Sequence, residues 1–242
     1  VSQPDPARVD QVRANLDAVR ARIDAACAEA DRDPAGVALV AVTKTYPASD
    51  VRVLASLGVT DVGENRDQEA APKAADTADL DLTWHFVGQL QTNKARSVAG
   101  YADVVHSVDR ARLARALGDR AAAAERRLTC LIQVNLDTDS QAGVIGPRGG
   151  VDPEDALDLA ARIEEHEALT LGGVMAVAPR GGDAPAAFAR LRAVADRVRD
   201  RHPGATAISA GMSGDLEAAI AHGSTHLRLG TALLGDRASI VG

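Results

Sequence analysis

Lys44 ends a run of seven residues, Val37 to Thr43, that carries no charged side chain. The chain has 24 arginines and three lysines (Lys44, Lys73 and Lys94), so this amine is hard to read as general solubilising charge. At the mouth of an apolar strand an amine is partly stripped of water, its ammonium form is disfavoured, and the free base attacks carbonyls. Far along the chain, Ser209-Ala210-Gly211-Met212-Ser213 and Gly230-Thr231 each place small residues at the start of a helical pattern. Backbone N–H groups at such starts attract anions such as phosphate. Either turn taken alone reads equally well as ordinary capping by Ser or Thr. An amine and a phosphate site in one mouth would suit a phosphorylated carbonyl compound held as a Schiff base.

The elements that must position these residues alternate regularly. Eight strand patterns are expected at Val37–Thr43, Thr60–Val62, Leu82–Val87, Ala102–Ser107, Leu128–Asn135, Leu169–Met175, Ala205–Ile208 and Thr225–Leu229. A helical pattern follows each one, and βα alternation implies a parallel sheet with right-handed crossovers. Eight units in 242 residues fit a single-domain (β/α)8 TIM barrel, with an open doubly wound sheet as the alternative. An additional helix is expected at Arg8–Asp31, from the apolar stripe Val9, Val12, Leu16, Val19, Ile23 and Cys27, capping one end of the fold. Val1 to Ala7 reads as a frayed terminus.

Polar and Gly-rich positions collect at the carboxyl ends of these strands: Lys44, Glu64, Asn65, His85, Gly88, Ser107, Asn135, Met175, Ser209, Gly211, Arg228, Gly230 and Thr231. Barrel enzymes carry their chemistry on that face, where loops surround the open mouth of a rigid core. Ser107, Ser213 and Thr231, each alone, are better read as capping or turn residues.

Composition excludes several other classes. Aromatic residues are 2%, so the core must be built from Val, Leu, Ile and Ala. A net charge of -7 without a basic stripe or an aromatic platform argues against nucleic acid as a partner. Cys27 and Cys130 have neither metal-ligand spacing nor a disulfide framework and are expected as reduced core thiols. The apolar runs are too short to span a bilayer, and no signal peptide is evident, so a reducing cytoplasm is expected.

Seven separated motifs then carry a resemblance. AVTKTYP, VGENRDQE, WHFVGQLQTNK, IQVNLDTDSQAG, GGVMAVAP, ISAGMSGDLEAAI and GSTHLRLGTALLG run in order from Ala41 to Gly235. In these the chain resembles the YggS/PROSC family of pyridoxal-phosphate-binding proteins, also called pyridoxal phosphate homeostasis proteins. The resemblance implies a barrel like that of alanine racemase and bacterial-type ornithine decarboxylase. It implies that Lys44 holds pyridoxal 5'-phosphate as a Schiff base. Ser209, Gly230 and Thr231 would bind the phosphate, Gly211 and Met212 would line the turn, and Arg228 would face the pyridine nitrogen. Asn65 and His85 would lie near the ring and its hydroxyl. A guanidinium opposite the ring nitrogen donates a hydrogen bond and leaves that nitrogen unprotonated, which makes the ring a weaker electron sink. Two departures stand out: Arg66 occupies a position where many members have Tyr, and the Gly143–Gly150 loop is locally elaborated and is assigned no role.

The expected function is cofactor binding and intracellular homeostasis, with apoenzymes as partners and no robust catalysis. The alternative is an amino-acid racemase or decarboxylase. Related enzymes carry a β-rich domain after the barrel, and the sequence ends seven residues beyond Gly235, which favours a non-catalytic carrier and a monomer. A Schiff-base aldolase acting on sugar phosphates fits the lysine and the turns but not the motif series.

Overall fold

The computed structural model describes residues 5–137, 149–179 and 181–235. Most of the Gly143–Gly150 loop lies outside these. Eight parallel strands close into a barrel in chain order: β1 (Ala38–Val42), β2 (Asp61–Glu64), β3 (Thr83–Phe86), β4 (Val104–Val108), β5 (Leu128–Gln133), β6 (Leu169–Met175), β7 (Ala207–Ser209) and β8 (His226–Leu229). Closure comes from the pairing of β1 with β8, from Ala38 opposite His226 to Ala41 opposite Leu229. The open-sheet alternative is thereby excluded. Outside the barrel lie α1 (Pro6–Glu29), α2 (Ala48–Ser56), α3 (Asp67–Asp76), α4 (Ala95–Tyr101), α5 (Ala111–Ala123), α6 (Ala156–Glu164), α7 (Ala184–Arg201), α8 (Leu216–Ala221) and α9 (Thr231–Leu234).

Local chemistry explains where these helices start. Asp183 accepts from the N–H of Ala186 at 3.0 Å, Pro185 occupies the first turn of α7, and Arg199 and Arg201 sit in the last turn against the negative end of the helix dipole. At the other end of the chain, the Asp5 side chain accepts from the N–H of Ala7 and Pro6 opens α1. The helix therefore starts inside the segment expected to be frayed, because a capping residue stands directly before a proline.

α1 does not simply cap one end of the barrel. It packs along α8 and α9, beside the seam where β8 meets β1. Val12, Leu16, Val19, Ile23 and Cys27 are buried, and burying them contributes on the order of 10 kcal/mol before entropic costs. Arg8 grips both oxygens of Asp50 in α2, at 2.8 and 3.0 Å, and the carbonyl of Leu234. Asn15 donates to the carbonyl of Leu233 at 2.9 Å. These bonds hold the last short helix and the turn that precedes it.

The apolar core lies between strands and helices, built from Val, Leu, Ile and Ala with Phe86 and Phe188. Cys27 and Cys130 are free and buried there, as expected. Inside the barrel the packing is different. His85, His106, Ser209 and Arg228 are all buried, and His106 on β4 bonds to Ser209 on β7. Those strands are not neighbours in the sheet, so the two side chains meet only in the interior. Branched apolar layers usually fill that space.

Candidate functional site

β1 ends at Val42, and Lys44 stands on the turn beyond it with its side chain exposed. The expectation of an amine desolvated by the strand is therefore corrected. Alternation sends Val40 and Val42 into packing, but the chain leaves the sheet before Lys44 and carries it to the rim. The turn itself is held from both sides. Glu64, fully buried, accepts from the Thr43 hydroxyl at 2.7 Å and is ion-paired with Lys73, whose ammonium also donates to the Thr43 carbonyl at 2.8 Å. Burial raises the Glu64 carboxyl above its ordinary value, and its bonds to Lys73 and Thr43 oppose that shift. On the other side, Glu69 accepts from the N–H of Thr45 at 2.9 Å. Thr45 has φ +72°, a costly conformation for a β-branched residue, and it persists because this bracing over-determines it.

Lys44 opens onto a cleft of about 640 Å³ at the carboxyl face of the barrel. Asn65, Met212, Arg228, Gly230 and Thr231 line the same cleft, so six of the nine expected site residues converge there. Ser213, Gly214, Gly88 and Tyr46 line it as well. The N–H groups of Ser213 and Gly214 have no partner among the described residues, whereas that of Met212 is taken by Asp215 at 2.6 Å. The open N–H groups of this turn thus sit later than its glycine suggested. Gly211 lies behind the turn with φ +95°, where an added Cβ would meet Ala219 at 2.7 Å and Leu227 at 2.8 Å. Gly88 allows the backbone of Asn65 to approach so closely that a Cβ there would lie 2.1 Å from the Asn65 carbonyl oxygen.

Besides Gly211, two expected residues do not reach the cleft wall. Ser209 is fully buried behind Arg228, and its hydroxyl is used by the guanidinium at 2.6 Å and by His106 at 2.9 Å. His85 is 2% exposed and points down the barrel toward Asp61, which its Nε2 meets at 2.9 Å. Both side chains face the barrel interior below the cleft, held there by Asp61, His106 and Arg228. Arg228 is 6% exposed, and its second terminal nitrogen donates to the Ala176 carbonyl at 2.9 Å. Burial pushes its guanidinium down to about 10, so it stays a cation at neutral pH. Among the described residues it has no ion pair.

Glu64, Lys73 and Glu69 were missed as positioning groups. Lys73 was open to notice, being one of only three lysines. Arg66 is exposed and reaches Glu69 at 3.3 Å. Asn135 is a turn residue, accepting from the N–H of Asp137. Among the described residues no group of three or more His, Cys, Asp or Glu is arranged to hold a metal, and no helix is long and apolar enough to cross a membrane.

Comparison with known proteins decides the family. The model of the alanine racemase N-terminal domain matches residues 14–238. The pyridoxal phosphate homeostasis protein of Mycobacterium tuberculosis is 44% identical over 228 residues, covering 86% of each chain. The chain belongs to the pyridoxal phosphate homeostasis protein family. Its relative of the same name in Escherichia coli is 37% identical over 235 residues, covering 95% of this chain and 98% of that one. Among solved structures, PipY of Synechococcus elongatus with PLP bound is 35% identical with a TM-score of 0.79, covering 93% of this chain and all of PipY. Alanine racemase of Clostridium difficile shares the fold, with a TM-score of 0.73 at 12% identity, and this chain covers 56% of it. Homeostasis-family membership and the racemase-type barrel are thus both in place.

Proposed function

We propose that this protein binds pyridoxal 5'-phosphate through a Schiff base on Lys44 and serves intracellular homeostasis of the cofactor without robust turnover. The observation that carries the reading is the convergence of Lys44, Asn65, Arg228, Gly230 and Thr231 on one cleft. The residues fit the group. Asn65 presents a buried side-chain oxygen with no partner among the described residues, a natural acceptor for a ring hydroxyl. At Gly230 an added Cβ would lie 3.1 Å from the Val42 carbonyl, so the chain passes the cleft wall closely there. When bound, the cofactor supplies an aldehyde for an amine and an electron-withdrawing pyridine.

The side chains divide the work. The exposed Lys44 amine would be open to an aldehyde without first being freed from an ion pair, since none engages it among the described residues. The N–H groups of Ser213 and Gly214, with the first turn of α9, offer positive ends to a phosphate. Arg228 would hold the ring nitrogen by donating to it and would not give that nitrogen a proton under neutral conditions. That donation supports binding over carbanion chemistry, as does the engagement of the Tyr46 hydroxyl with the Gly235 carbonyl, which leaves it poorly placed as a second base. The names of its relatives support homeostasis as well.

Purified protein should be yellow, with an absorbance band that borohydride bleaches. Persistence of the band in Lys44→Ala would exclude Lys44 as the anchor. Steady racemisation or decarboxylation of amino acids that vanishes in Lys44→Ala would replace the carrier reading with catalysis.

A further inference from the structure

Beneath the cleft a chain of hydrogen bonds crosses the barrel from β8 to the far end of β2. Arg228 meets the Ser209 hydroxyl at 2.6 Å, Ser209 meets His106 Nδ1 at 2.9 Å, His106 Nε2 meets His85 Nδ1 at 2.8 Å, and His85 Nε2 meets Asp61 at 2.9 Å. The three middle residues are 0–2% exposed, and Asp61 is about one-third exposed at the opposite mouth. His226 packs beside both imidazoles, with ring centroids 6.3 and 6.4 Å away, and its own Nδ1 is bonded to Thr225.

The two ends of this chain dictate its direction. A guanidinium only donates, and an ionised carboxylate only accepts. Asp61 is held ionised, its carboxyl lowered chiefly by the bond from His85. So His85 carries its proton on Nε2 and offers the Nδ1 lone pair to His106. His106 must then carry its proton on Nε2 and offer Nδ1 to Ser209, whose hydroxyl proton points to His106 and whose lone pair faces Arg228. Burial, then the neighbouring His85 and Arg228, keep His106 neutral. The opposite arrangement, with His85 doubly protonated, leaves the Ser209 proton without an acceptor in a dry interior. Each dipole in the satisfied arrangement turns its negative end toward Arg228, a buried cation that has no ion pair among the described residues.

We propose that Asp61, His85, His106 and Ser209 are positioning residues for Arg228: a one-way hydrogen-bond chain that aims the guanidinium and sets how strongly it donates to the ring nitrogen of the bound cofactor. This rests on the reading of the cleft as a pyridoxal 5'-phosphate site. It also assigns roles to His85 and Ser209 other than direct contact with the ligand.

The test has two parts. In the ligand-free wild-type protein, nitrogen-15 resonances of the imidazoles should show His85 and His106 both protonated at Nε2 and bare at Nδ1. A proton on Nδ1 of either would overturn the chain's direction and with it the proposal. In protein loaded with cofactor labelled at the ring nitrogen, Asp61→Asn removes a charge outside the cleft while keeping the acceptor. It should still load, and the ring-nitrogen resonance and absorbance maximum should both shift from wild type. Ser209→Ala should move them further and weaken binding about ten- to hundredfold, the usual effect of removing a partner from a charged group. Loaded Asp61→Asn with an unmoved ring resonance would refute the coupling while leaving the cofactor reading intact. Failure of the wild type to load would sink that reading, and the coupling with it.

Discussion

Acidification should unfold this barrel from the inside, and His226 sets the scale. Its imidazole is largely buried, lies beside His85 and His106, and is pushed down to about 4, chiefly by burial. In the unfolded chain the same group titrates near 6.5. Between those values the unfolded state binds more protons than the native state, so stability falls as pH falls and is flat above the window. A drop of that size is worth about 3 kcal/mol at 1.36 kcal/mol per unit, a large share of the 5–15 kcal/mol typical of a domain. His106 acts in the same direction, its imidazole held well below its ordinary value by complete burial. Asp61, lowered by His85, adds a loss only at more acidic pH, as its own carboxylate is protonated. Urea midpoints of the ligand-free protein from pH 7.5 to pH 4.5 measure the effect. His226→Asn, which cannot titrate, should make the slope shallower, with the remainder carried by His106. A wild-type midpoint unchanged between pH 7 and pH 4.5 would refute the neutral buried imidazoles.

Lys73→Met should destabilise the fold by about 3–5 kcal/mol by leaving the buried Glu64 carboxylate unpaired, and adding Glu64→Gln should recover part of that in thermal melts. Gly88→Ala should displace the Asn65 backbone, since the new methyl would overlap its carbonyl, and titration with pyridoxal 5'-phosphate should show weaker uptake together with a lower Tm. Native protein should resist thiol reagents until it unfolds, because Cys130 is fully buried with its thiol pushed up to about 12 and Cys27 is buried on α1; rapid native-state labelling of either would contradict that packing.

Element order was legible because each βα unit carries its own signal. β6 lies where its apolar pattern put it, at Leu169–Met175, and α7, α8 and α9 follow β6, β7 and β8 as the alternation requires. Boundaries moved where a local device outweighed the pattern, as when Asp5 and Pro6 started α1 earlier than its apolar stripe. Cleft-lining residues on turns, such as Asn65, Gly230 and Thr231, were legible because they follow strands directly and face the rim. His85 and Ser209 were expected at the cleft because they stand near strand ends, but partners on other strands (Asp61, His106 and Arg228) hold both in the interior. The buried support of Thr43 by Glu64 and Lys73, nine residues apart, lies in no single motif.

The sequence by itself determined a regular βα alternation, an Arg- and Ala-rich chain with a rare lysine after its first strand, and small residues at the last two turns. Those properties are local, carried by periodicity and by the conformational habits of Gly, Pro and capping residues. Tertiary structure alone decided that Lys44 is exposed and braced rather than desolvated. It also decided that two histidines and a serine from three strands join Arg228 to Asp61 through the interior. Hydrogen-bond direction along such a chain depends on what stands at both ends, and those ends, 167 residues apart in sequence, meet only when the barrel closes.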